Sequence, residues 1–76
     1  MKGKVQNHFK ILLAQKEAKE GKRIKYDEIK NKTGMAMSTI SAWSTNRINR
    51  YDADTIAVLC DYFDCNVGDL IFYERE

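Results

Sequence analysis

The stretch YDEIKNKTGMAMSTISAWST, Tyr26 to Thr45, decides how this chain folds. Its opening segment, Tyr26 to Thr33, reads as a short helix with Ile29 as the main inward apolar residue. Thr33-Gly34-Met35 reads as a tight turn, because glycine reaches positive φ without the steric cost of a Cβ. A second helix is expected from about Met37, with Ile40 and Trp43 three residues apart on its inner face.

Helix, glycine turn and helix in so short a span is the helix-turn-helix layout, whose second helix enters the major groove of DNA. The same residues would also suit a helical hairpin that only packs. Charge weighs between the two. Up to Arg50 the chain carries 12 Lys or Arg against 4 acids, and from Tyr51 onward 1 against 7. The net charge of +2 therefore conceals a basic part of +8 and an acidic part of −6. The basic part contains the hairpin, and a segregated basic stripe is the electrostatic footprint of polyanion binding.

Length bounds the rest. The 76 residues suit one domain, 1–76, with one small core. Proline is absent and regular strand alternation is scarce, which predicts an all-α fold of five helices. No apolar run approaches the roughly 18–20 residues that span a membrane, and no signal-peptide pattern is present. The expected location is cytoplasmic, with no membrane partner.

The first helix is expected from about Lys4 to Lys19, with Val5, Phe9, Leu12 and Leu13 as its stripe and Gly21 at the C-terminal cap. Ile24, Ile29 and Thr33 supply the inner side of the second, and Asp27 and Glu28 suit its positive N-terminal end. Arg47 and Arg50 lie in a loop from Asn46 to Tyr51. Asp52 is a good N-cap for a fourth helix ending near Phe63, with Tyr51 and Ile56 at hydrophobic-staple spacing. Asn66 should cap a short fifth helix containing Val67, Leu70 and Ile71.

Catalysis finds little support. His8 has no partner acid nearby in sequence, and no phosphate loop, nucleophile elbow or metal-ligand cluster occurs. Cys60 continues an apolar face with Ile56, Leu59 and Phe63, and Cys65 follows that helix, so both read as core thiols rather than metal ligands. No enzyme activity, metal or cofactor is expected.

In this order and spacing, Phe9-Lys10-Ile11-Leu12-Leu13, Thr33-Gly34-Met35, Ser38-Thr39-Ile40-Ser41 and the tail from Asp54-Thr55-Ile56 through Leu59-Cys60, Phe63-Asp64-Cys65 and Gly68-Asp69-Leu70 resemble a stand-alone Cro/cI-repressor-type (XRE-type) helix-turn-helix protein. The resemblance implies a five-helix lambda-repressor-like DNA-binding domain that acts as a homodimer on a two-fold operator in transcriptional control, as a repressor. The chain departs from the family in its longer link from Glu17 to Lys25. Lys25 and Ala36 stand where Ser or Thr N-caps are usual, and Lys30 replaces a small alanine at the helix crossing.

Carried over by position, the resemblance places Met37, Ser38 and Ala42 toward base edges, with Ala36, Thr39 and Ser41 beside them or near phosphate. Arg47, Arg50 and Lys25 would hold the DNA backbone, with Lys22 and Arg23 as further candidates. The reading surface contains no Arg, Lys, Asn or Gln, so the bidentate pairings to guanine and adenine are unavailable from this helix. Ile11, Val58 and Phe72 stand where the family usually carries polar residues, which implies a patch for a second copy or a protein partner. An antitoxin-like or adaptor module on the same fold is the alternative reading.

Overall fold

The structure, a computed structural model, describes residues 3–75. Among these residues the chain forms β1 (Lys4–Asn7), α1 (Phe9–Glu20), α2 (Tyr26–Thr33), α3 (Met37–Ser44), α4 (Ala53–Phe63), α5 (Val67–Leu70) and β2 (Ile71–Glu74). The five expected helices are present, but the all-α expectation is corrected. β1 and β2 pair antiparallel with Val5 opposite Tyr73 and Asn7 opposite Ile71, joining the two ends of the chain.

This sheet changes two assignments. Residues 4–7 are strand rather than the first turn of α1, so Val5 is 48 % exposed instead of joining the apolar stripe. Ile71 belongs to β2 rather than α5, and Val67 is exposed. The physical reason is that each strand is short and finds its partner only at the opposite end of the sequence, beyond the range of local periodicity. The Tyr73 hydroxyl accepts a hydrogen bond from the Gly3 N–H at 3.0 Å, and a Cβ at Gly3 would collide with the Glu74 carbonyl.

Local chemistry accounts for the helix ends. Gly21 (φ +68°) and Gly34 (φ +77°) both sit in the left-handed region and donate back to the preceding turn, to Glu17 and Lys30 respectively. The Thr33 hydroxyl donates to the Ile29 carbonyl at 2.6 Å and accepts from the Met35 N–H at 3.2 Å, tying both sides of the hairpin turn. The Asp52 carboxylate accepts from both the N–H and the hydroxyl of Thr55 at 3.1 Å, which holds its pKa below the ordinary range. The Asp69 carboxylate accepts from the Asn66 N–H at the start of α5. Lys25 and Ala36 make no side-chain cap, as their types dictate.

The first part of the long link is helix, and residues 21–25 are a turn and irregular chain. α1 continues to Glu20, and the Glu17 carboxylate then accepts from the Ile24 N–H at 2.8 Å, folding Ile24 into the core. Phe9, Ile29, Ile40, Trp43, Leu59 and Leu70 are the largest fully buried side chains. Phe9 meets Phe63 edge-to-face at 5.5 Å, and Trp43 meets Tyr51 likewise at 5.1 Å. Cys60 and Cys65 are free, half-buried thiols packed against this core. Lys30 is exposed.

Candidate nucleic-acid interface

Ile40 and Trp43 anchor α3 in the core, and the 3.6-residue turn fixes what faces outward. Ser38 and Ala42, four residues apart, lie on the outer side with Ser41 and Thr45 beside them, and Met37 flanks them at 38 % exposure. Ser38, Ser41 and Thr45 are exposed, and Ala42 is half-buried. Met37 therefore faces outward instead of packing inside, and Trp43 is core, as its position in the helix requires.

The remaining expected contacts do not all share this face. Thr39 and Ala36 line a groove of about 280 Å³ with Asp54, Thr55 and Val58, on the side of α3 that meets α4. Val58 is thereby separated from Ile11 and Phe72, which line a different cleft together. The proposed patch of three apolar residues thus divides into a pair and an outlier.

Exposed cations precede α2 and follow α3 in the chain. Arg23, Lys25, Arg47 and Arg50 are exposed and form no ion pair among the described residues. Lys22 is engaged with the Glu28 carboxylate at 3.4 Å, and Lys32 reaches the same group at 3.7 Å, so both are partly compensated. Lys16 pairs with Glu20 at 2.9 Å and lies over the Tyr62 ring.

The loop carrying Arg47 is held by a contact that the sequence reading missed. Asn46 adopts the left-handed region (φ +57°), which asparagine tolerates better than most residues. Its side-chain oxygen accepts from the Asn7 N–H at 2.8 Å, and its amide donates to the Asn7 carbonyl at 3.4 Å. The Arg47 N–H donates to the Ala42 carbonyl at 2.9 Å. Asn7 in turn accepts from the Phe9 N–H at 2.9 Å, so β1, α1 and the end of α3 share one polar junction. The only local signal was an asparagine directly after a predicted helix; its partner lies 39 residues away.

Among the described residues there is no group of His, Cys, Asp or Glu that could hold a metal ion, and no helix is long and apolar enough to cross a membrane. His8 stacks on Phe72, with ring centroids 4.2 Å apart.

A glycine-turned helix pair, its second helix anchored by Ile40 and Trp43 with a short-chained outer face, is a helix-turn-helix unit on a five-helix scaffold. Residues 10–76 match the Cro/C1-type HTH DNA-binding domain, and the chain belongs to that family. No curated protein and no solved structure matches it.

Proposed function

We propose that the protein is a sequence-specific regulator of transcription, a repressor that acts by occupying its operator as a homodimer with α3 in the major groove. The observation that carries this reading is the outer face of α3, where Met37, Ser38, Ser41 and Ala42 point away from the core, with Arg47 and Arg50 exposed in the loop that follows. The major groove is about 12 Å wide, close to the diameter of a helix with its side chains. Ser and Ala keep α3 slim, so its backbone can seat deeply.

Base discrimination from this face rests on the methyl of Ala42 and the thioether chain of Met37 against thymine methyls, single hydrogen bonds from Ser38, and DNA shape. Arg47, Arg50 and Lys25 give affinity and register through phosphates. Ala36, Thr39 and Ser41 flank the reading face. A location in the cytoplasm follows from this role and is part of the proposal.

A protein-interaction role on the same fold has one observation in its favour, the 52 % exposure of Ile11. Titration of duplex DNA at increasing salt separates the two readings. Regulation through DNA requires binding whose logarithmic affinity falls by about 0.9 per neutralised phosphate for each decade of salt. Flat or absent binding at low salt would overturn it in favour of the interaction module.

A further inference from the structure

Both backbone groups of Asn7 in β1 end on one side chain. The Asn46 carboxamide accepts from the Asn7 N–H at 2.8 Å and donates to the Asn7 carbonyl at 3.4 Å, as the peptide group of a neighbouring strand would. Asn7 is itself fixed. It is 5 % exposed, stands opposite Ile71 in the sheet, and accepts from the Phe9 N–H at the start of α1. The residue after Asn46 is Arg47, whose N–H donates to the Ala42 carbonyl at 2.9 Å. The backbone at Arg47 is thus held from two sides, by β1 through Asn46 and by the last turn of α3. Residues 48–51, which include Arg50, make no backbone–backbone hydrogen bond among the described residues.

We propose that Asn46 is a positioning residue for phosphate binding by Arg47, with β1 as its platform. The inference rests on the reading of Arg47 as a contact to the DNA backbone. The Arg47 side chain is exposed and forms no ion pair among the described residues, so its guanidinium is free to meet a phosphate. Gripping a phosphate costs a long side chain its rotamer freedom, and a mobile backbone beneath it would have to be ordered as well. Holding the backbone beforehand removes that second cost, so the same contact binds more tightly.

The conformation of Asn46 fits the role. Its φ of +57° lies in the left-handed region, which glycine would reach at lower backbone cost but without a group to bond Asn7. The family match begins at residue 10, so Asn7 and the platform lie outside it. The grip of the loop after α3 therefore depends on a strand at the other end of the fold from the helix pair in sequence.

The experiment is a double-mutant cycle on duplex DNA binding at one low salt concentration. Asn46→Gly and Asn46→Ala are each combined with Arg47→Ala and, as a control, with Lys25→Ala at the start of α2. Glycine relaxes the left-handed φ and alanine strains it, so an effect shared by both belongs to the lost hydrogen bonds. Arg47→Ala should weaken the wild-type chain severalfold, and its cost should shrink by about twofold or more in either Asn46 background. Lys25→Ala should cost the same in every background, which a general loosening of the fold would not allow. Hydrogen exchange of the free protein gives a readout without DNA: the Arg47 amide should exchange faster in Asn46→Gly and Asn46→Ala, while the Ile40 amide inside α3 keeps its protection. Asn46→Asp retains the acceptor for the Asn7 N–H and should keep exchange at Arg47 slow. Circular dichroism checks that each variant is folded. A wild type that binds no duplex overturns the phosphate reading and this inference together. Additive costs at Asn46 and Arg47, equal coupling to Lys25, or unchanged exchange at Arg47 overturns the positioning role alone.

Discussion

Lys25 stands at the N-cap of α2 with φ −86° and ψ 155°, the extended geometry of a capping serine, yet it offers no side-chain acceptor. Three residues on, Glu28 occupies the acid position of a capping box. Lys25→Ser should therefore stabilise the fold while weakening DNA binding. A cap contributes roughly 0.5–2 kcal/mol, typically about 1. In a domain of this size, about 1 kcal/mol raises Tm by roughly 4–8 °C. Removing one phosphate contact lowers the salt slope by about 0.9, a factor of about 3.5 across a fourfold change in salt. Lys25→Ala is the control, because it removes the charge without adding a cap. Thermal melts should separate the serine and alanine variants, while salt titrations should group them together below wild type. Equal melting temperatures in both variants would refute the capping argument. A rise in Tm with an unchanged salt slope would remove Lys25 from the phosphate contacts.

Arg47→Ala and Arg50→Ala should each weaken binding to all sequences alike and lower the salt slope by about 0.9, whereas Ser38→Gln and Ala42→Gln should change base preference with little change in slope. Selection from a random duplex library with each variant checks this, and altered preference in the arginine variants alone would move base reading to the loop after α3. Trp43 is 1 % exposed, so Trp43→Ala should cost about 3–5 kcal/mol, against a total of about 4–11 kcal/mol for 76 residues, and should leave the variant partly or wholly unfolded in a denaturant melt followed by circular dichroism. Burial pushes the Cys65 thiol up from 9.0 to about 11, so between those values the folded chain keeps a proton that the unfolded chain has released. Stability should fall as pH rises through that window, and Cys65→Ala should flatten the decline in melts taken at successive pH values.

Most of the fold was legible because its determinants are local. Ile40 and Trp43 stand at helical spacing, Ile29 is the inward residue of the helix before them, and all three are buried. Gly34 marks the turn because no other residue reaches its φ of +77° as cheaply. Asp52 announced α4 through a hydrogen bond to a residue three positions away. The outer face of α3 followed from the same periodicity, since fixing the buried residues of a helix also fixes the exposed ones.

What the sequence determined by itself is thus the helix-turn-helix unit, the missing caps at Lys25 and Ala36, and the division of charge along the chain. Only the tertiary structure decided the sheet, because Val5 and Tyr73 must be brought together from opposite ends before either reads as strand. It also decided the junction of Asn7 and Asn46, the separation of Val58 from Ile11 and Phe72, and the engagement of Lys22 with Glu28. These are pairings between distant residues or between side chains on different elements. Sequence periodicity specifies which face of an element is apolar, but it carries no record of which other element that face, or the polar edge beside it, will meet.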